Sequence, residues 1–253
     1  LFAHQKFMQI NKINNLLELF YEQYQKQNKE SIFLQSLKEP QKKYSWGDVY
    51  LNINKLSEEI SKHIKKGDRC LIVSENRPEW MISDLSIMLS GGVTVPAYTT
   101  YTERDYEYII DDCTPAIIII SDKIQYKKIK NIIPKKGFIK KIIFFENIEN
   151  IDEELNLNMS DIFKGDNRNN QNFSNLKIQR KDMACIIYTS GTQGNPKGVM
   201  LSHGGILNNC EGGYELLKTF VSKKPKFLTW LPLSHSYEHT VQFVQIIVGA
   251  KAF

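Results

Sequence analysis

No run of apolar residues in this chain approaches the ~18–20 needed to span a bilayer, so a transmembrane role has no segment to rest on. Cysteine is scarce as well. Cys70, Cys113, Cys185 and Cys210 are widely spread and form no C-x-x-C pair. That argues against a disulfide framework and for a reduced, intracellular compartment. Three of them, Cys70, Cys113 and Cys185, sit in or beside apolar runs, as small core residues do. No fixed-period repeat is visible, which sets solenoids and propellers aside. A nucleophile elbow and a metal-ligand cluster are missing too, so neither covalent nor metal-centred hydrolysis has its usual signature. The first residue is Leu1 rather than methionine. An upstream signal or anchor therefore stays open, and the expected location is cytoplasmic or peripheral on a membrane face.

What is present suits a globular chain. A length of 253 residues, 42% hydrophobic and 24% charged, can bury a substantial core in one sizeable domain or two small ones. The net charge of +5 owes much to one stretch, "KIQYKKIKNIIPKKGFIKKIIFF" (123–145). Its lysines alternate with isoleucines and no stacking-aromatic module accompanies them. It reads as a solvated face on buried elements and not as a nucleic-acid patch, with weak attraction to anionic lipid left open.

Helix and strand patterns alternate along most of the chain. "NNLLELFYEQYQKQ" (14–27) has a helical apolar stripe through Leu16, Leu17, Phe20, Tyr21 and Tyr24. In 45–68, Ser45 can cap a helix with Asp48 three residues on. Trp46, Val49, Ile53, Leu56, Ile60 and Ile64 line one face, and Gly67 is expected to end it. "RCLIVS" (69–74) is a β-rich run, and Pro78 can open the next helix. "VTVPAY" (93–98) is extended, although Pro96 argues that its end lies outside a central ladder. "TERDYEYIIDDC" (102–113) is helical, and "AIIII" (116–120) and "KKIIFF" (140–145) read as buried strands. This order predicts an α/β fold of layered, mainly parallel sheets flanked by helices. Residues 146–182 are polar and asparagine-rich, and 165–175 in particular read as a surface excursion.

The chemistry concentrates in "YTSGTQGNPKGVMLSH" (188–203). A buried strand, "ACIIY" (184–188), breaks into this loop, and a strand followed by a helix from about His203 resumes after it. Gly191, Gly194 and Gly198 allow close backbone approach that a Cβ would block, and exposed N–H groups from such a turn can form a concave anion site. Thr189, Ser190 and Thr192 add hydroxyls for phosphate oxygens or a magnesium-bound water. Pro196 stiffens the loop just before Lys197, a compact point charge. At 4 Å such a charge pair is worth about 4 kcal/mol at an intermediate dielectric. The Walker pattern fails, because Pro196 and Gly198 flank Lys197 where glycine and a hydroxyl are required.

This stretch resembles the phosphate-loop signature of the adenylate-forming superfamily, which includes acyl-CoA synthetases, luciferases and peptide-synthetase adenylation domains. "SENRPEWMISDLSIMLSGGVTVPAYTTYT" (74–102) and "LTWLPLSHSYEH" (228–239) are similar to long-chain acyl-CoA synthetases, and "KKYSWGDVY" (42–50) adds weaker support. The likeness runs from about residue 14 to the end, interrupted only by the asparagine-rich excursion. It implies that 1–253 is an incomplete large N-terminal AMP-binding domain, with the small C-terminal domain absent. It also implies that Thr189, Ser190, Gly191, Thr192, Gly194 and Lys197 cradle the β- and γ-phosphates of ATP, with Lys197 and Thr192 acting in catalysis. His235 would line the carboxylate end of the acyl pocket near the α-phosphate, set against its plain reading as a helix-start histidine. Trp230 is a candidate wall of the acyl tunnel, though a core position is the favoured reading. For Glu238, a partner for a basic group and a solvated helix face weigh equally. Two departures stand out: Gln193 replaces the usual hydroxyl residue, and His239 stands where relatives often carry arginine, which puts an ion pair there in doubt.

The reaction implied is two-step activation of a fatty acid, with ATP, Mg²⁺ and coenzyme A as the small-molecule partners and no nucleic acid. A fatty-acid carboxylate attacks the α-phosphorus of ATP to give acyl-AMP and pyrophosphate, and the coenzyme A thiol then displaces AMP. Family members are roughly twice as long or more, so the chain alone is expected to be catalytically incompetent. It is also expected to leave strand edges or apolar surface uncovered and to self-associate. The rivals are an adenylating enzyme that loads a carrier protein and an inactive relative that binds acyl chains or nucleotide. A third, an NTPase of another fold, is disfavoured by the failed Walker spacing.

Overall fold

The computed structural model describes residues 8–148, 154–166, 173, 176–189, 195–220 and 224–253. The chain opens with α1 (Leu16–Lys26), the antiparallel pair β1 (Ile32–Gln35) and β2 (Lys43–Ser45), and α2 (Trp46–Ser61). Alternating units follow: β3 (Arg69–Val73), α3 (Pro78–Leu89), β4 (Val93–Ala97), α4 (Glu103–Cys113), β5 (Ile117–Ile120), α5 (Lys123–Ile129) and β6 (Lys141–Phe144). Then come β7 (Asn156–Asn158), α6 (Met159–Lys164), β8 (Met183–Thr189), β9 (Lys197–Ser202) and α7 (His203–Leu217). The last elements are β10 (Lys226–Phe227), α8 (Ser236–Ile247) and β11 (Lys251–Ala252).

Among the described residues, seven strands form one sheet in the order β7-β6-β5-β3-β4-β8-β9, parallel throughout except for the antiparallel β8–β9 pair. A second sheet, β10-β11-β1-β2, is parallel across its first three strands. The expected layered, mainly parallel α/β architecture is therefore the observed one.

Burial on both faces explains the unbroken apolar runs. Cys70 and Ile72 of β3, with Ile117 and Ile119 of β5, join α1, α2, α3, α7 and α8 in the larger core. Leu71, Val73, Ile118 and Ile120 point to the opposite core, beneath α4. Alternation along a strand then carries no hydrophobic contrast, because both sides need apolar side chains. All four cysteines are buried free thiols, as the apolar settings of Cys70, Cys113 and Cys185 suggest for those three.

Local signals set the helix starts. Ser45 accepts the Asp48 N–H while the Asp48 carboxylate accepts the Ser45 N–H, and Thr102 and Asp105 repeat this capping box on α4. Pro78 occupies the first turn of α3, all twelve residues of which are buried. The stop of α2 differs from expectation. It ends at Ser61, and Gly67 belongs instead to the turn into β3, at φ +86 with its N–H on Gly91 O. Ile64 is accordingly half-buried.

Two further differences concern pairing and the excursion. β4 is a central strand, paired with β3 as far as Ala97, so Pro96 does lie within a central ladder on that side. Val93 donates to Asp68 O on the β3 side, so by alternation Pro96 faces β8, where the paired register is confined to Thr94–Cys185. The missing N–H therefore costs β4 no bond to β3. The polar segment also holds more structure than its composition implies. β7 adds an edge to the large sheet, α6 packs on α2, and Phe173 is fully buried beside Phe20, Tyr21 and Tyr50. The rest of 167–175 lies outside the described residues. Phe173→Ala should lower stability by about 3–5 kcal/mol in urea denaturation, whereas a surface phenylalanine would leave the midpoint nearly unmoved.

Candidate functional site

β8 delivers the chain to an exposed Thr189, and β9 departs from an exposed Lys197. The two are register partners at the last rung of the antiparallel ladder. The loop between them is closed at its base, which confines a hydroxyl and an ammonium to the same rim. Ser190, Gly191, Thr192 and Gly194, together with Gln193, lie outside the described residues. Among the described residues Lys197 forms no ion pair, so none of their carboxylates neutralises its charge. Gly198 has a separate task. A Cβ there would stand 2.8 Å from Ile186 Cγ2 and 3.2 Å from the Tyr188 ring, so glycine lets β9 close over β8.

An apolar groove of about 630 Å³ lies against this rim, walled by α7 and α8 over the β8–β9 ladder. Ile187, Val199, Ile206, Leu217, Val241 and Val244 give it its apolar lining. Thr189 also lines it, so the residue that begins the glycine-rich loop borders a cavity with apolar walls. Ser236 and Tyr237, in the first turn of α8, are part of the same lining. His235 caps that helix, its Nδ1 accepting the Tyr237 N–H at 3.2 Å. The helix-start reading of His235 is thus correct for Nδ1, and a neutral ring carries its proton on Nε2.

Trp230 is not a core residue: it is 74% exposed. The reason is local. Asn76 donates to the carbonyls of Thr229 and Leu231 and accepts the Leu233 N–H, so the backbone is tethered and the indole between those anchors turns outward. Trp230 lines a second cleft, of about 480 Å³, together with Arg77, Gln242 and Gln245. That cleft adjoins a neighbouring face of α8, and Trp230 does not share the groove with Thr189.

The solvated-face reading of Glu238 does not hold. It is buried, and among the described residues no basic group pairs with it. Burial pushes its carboxyl pKa up. The doubted ion pair does exist next door. His239 Nε2 lies 2.8 Å from Asp84 Oδ2, with both side chains essentially inaccessible. Burial alone would lower the His239 pKa, but the Asp84 charge and hydrogen bond, with Cys185 beside Nδ1, outweigh it and hold the ring protonated. Gln242 Nε2 donates to the same Asp84 oxygen at 2.9 Å. Asp84 therefore grips two turns of α8 from α3. Sequence reading missed this cluster, although a lone charge in the otherwise uncharged "MISDLSIM" was a usable signal.

His203, expected as the start of α7, is also buried. Its Nδ1 accepts the Leu16 N–H at 3.3 Å and so joins the starts of α1 and α7. Burial lowers its pKa to about 4, against the opposing pull of Asp182 and Asp84. No helix among the described residues is long and apolar enough to cross a membrane, and no group of three carboxylate, imidazole or thiol side chains among them could hold a metal ion.

A family model described as AMP-binding enzyme matches residues 20–253. Long chain acyl-CoA synthetase 4 of Arabidopsis thaliana is 30% identical over 222 residues, covering 82% of this chain and 33% of the relative. Fatty acyl-CoA synthetase A of Dictyostelium discoideum is 28% identical over 195 residues, covering 74% of this chain and 28% of the relative. The chain thus spans about a third of the length of the curated relatives it matches. Among solved structures, a long-chain-fatty-acid-CoA ligase from Archaeoglobus fulgidus aligns with a TM-score of 0.76 at 19% identity, over 94% of this chain and 46% of its own. A red-emitting luciferase from Phrixothrix hirtus aligns at 0.78 and 18%, with the same coverages. These two likenesses bear on the fold.

Two outcomes follow for stability. Asp84→Ala strands a buried imidazolium and should cost about 3–5 kcal/mol, read as a fall in urea midpoint. His203 is neutral in the fold and titrates near the ordinary histidine value of 6.5 when unfolded, so its contribution is complete above that pH and is lost as pH falls toward about 4. The loss amounts to roughly 3 kcal/mol. His203→Asn, which keeps an acceptor, should flatten that part of the pH–stability curve relative to the parent; parallel curves would refute the assignment.

Proposed function

The chain belongs to the AMP-binding enzyme family, and on that footing we propose that it activates a long-chain fatty acid with ATP to acyl-AMP and passes the acyl group to coenzyme A. The observation that carries this reading is the position of Thr189, which opens the glycine-rich loop and also borders the apolar groove. A polyphosphate on the loop and an acyl chain in the groove would meet at that residue. The relatives named as long-chain acyl-CoA synthetases favour a fatty acid and coenzyme A over a carrier protein.

In this reading the loop backbone, with Thr189, Ser190, Gly191, Thr192 and Gly194, receives the β- and γ-phosphates through N–H and hydroxyl donors. Lys197 sets its charge against the pyrophosphate that leaves. A carboxylate oxygen forms the new bond to the α-phosphorus as the bond to the bridging oxygen of pyrophosphate breaks. The thiol sulfur of coenzyme A then attacks the acyl carbon, AMP departs and the thiol proton is released. No side chain becomes a covalent nucleophile, so the protein contributes position and charge. The carboxylate is assigned to the His235 end of the groove, beside Ser236 and Tyr237, where a proton on Nε2 would be free to donate.

Mg²⁺ fits this site as part of the nucleotide, because the described polar groups at the base of the loop are the Thr189 hydroxyl and the Lys197 ammonium, which suit the phosphates that would carry the ion. When bound it would neutralise phosphate charge. The acyl chain is placed in the groove that Trp230 does not line. β9 is the outer strand of its sheet, with Val199 and Met200 exposed, which supports self-association of the 253-residue chain. The basic stretch 123–145 supports weak peripheral contact with anionic lipid.

In the intact enzyme, Lys197→Ala should slow fatty-acid-dependent ATP–pyrophosphate exchange by roughly a hundredfold, the scale of one lost preorganised charge contact. Binding of a fluorescent fatty acid should stay within about twofold, since the groove walls are untouched. Equal exchange rates in the two proteins would remove Lys197 from the mechanism.

A further inference from the structure

We propose that Gly213 is a specificity-determining residue, which sets how bulky an acyl chain the groove between α7 and α8 admits. The inference rests on the reading of that groove as the acyl site. α7 carries Gly204, Gly205, Gly212 and Gly213 among its fifteen residues. Glycine is the least favourable residue of a helix interior after proline. None of the four has a positive φ, so backbone conformation does not call for them.

Packing accounts for one. A Cβ on Gly204 would stand 2.8 Å from the Arg180 carbonyl oxygen. At Gly205 a Cβ would meet Ser202 Oγ at 3.4 Å, an ordinary contact, and at Gly212 it would meet nothing within 4 Å. Gly213 differs from these. It lines the groove, and a Cβ there would lie 3.3 Å from Val244 Cγ2 on the facing wall.

That neighbour has little room to give. Val244 is 4% exposed, β-branched and part of the larger core. One turn earlier, the Cys210 thiol donates to the Thr240 carbonyl at 3.6 Å, which ties the two helices together beside this point. A side chain longer than hydrogen at position 213 cannot part the helices cheaply. It must extend into the groove and occupy space that the acyl chain would use.

Cis-parinaric acid, a long fluorescent fatty acid, and octanoic acid as a short competitor test this on the 253-residue chain. Gly213→Leu should weaken cis-parinaric acid binding by roughly tenfold or more and leave competition by octanoic acid within about twofold of the parent, because a short chain leaves part of the groove free. Gly213→Ala, which suits a helix better than glycine, should fold and show a smaller loss of the same sign. Far-ultraviolet circular dichroism identifies any variant that has lost its fold, in which case Gly213→Ala alone decides. Parent-like binding of the long chain by a folded Gly213→Leu, or equal losses for both chain lengths, would overturn the inference while leaving the groove reading intact. Failure of the unaltered chain to bind cis-parinaric acid would overturn the groove reading and the inference with it.

Discussion

The reversal of strand direction between β8 and β9 is the constraint on which the rest of this structure turns. Up to β8 every strand of the large sheet runs parallel, and each needs a crossover before the next. β9 instead returns directly alongside β8, and Thr189 faces Lys197 across the last rung. The two ends of the glycine-rich loop are thereby held together. The same reversal hands the chain to α7 at Ser202, whose hydroxyl accepts the Gly205 N–H and starts the helix that walls the groove. Loop and groove are two consequences of one antiparallel pairing.

The second wall depends on a buried polar contact. α3 is enclosed on every side, yet it places Asp84 where His239 and Gln242 of α8 reach one carboxylate oxygen. Burying such a pair gains little net stability over a well-packed apolar substitute, because desolvation offsets most of the attraction. Its distinctive property is direction. Two hydrogen bonds a turn apart hold α8 in one rotation, which sends Tyr237, Val241 and Val244 to the groove and Gln242 and Gln245 to the other cleft. An apolar contact would fix the distance between these helices without fixing that rotation.

Legibility in the sequence followed the range of the interactions. Capping at Ser45 and the start of α3 at Pro78 are set within a few residues, and they are where the pattern puts them. Errors gathered where a distant partner decides. Gly67 serves a turn bonded to Gly91, Phe173 is drawn inward by Phe20, Tyr21 and Tyr50, and Trp230 is turned outward because Asn76 holds the backbone on either side. The core reading of Trp230 followed from its size and apolar character, which ordinarily favour the interior. The tether overrode that tendency.

By itself the sequence determined the alternation of strands and helices, the burial of both faces of the central strands, and a loop of glycines, hydroxyls and one lysine, since each depends on residue type and spacing along the chain. Only the tertiary structure decided that Thr189 borders an apolar groove, that Trp230 belongs to a separate cleft, and that His239 finds its counter-charge on Asp84. Those relations join residues far apart in the chain, from β8 to α8 and from α3 to α8. Their existence depends on how helices are rotated against the sheet, which no local pattern specifies.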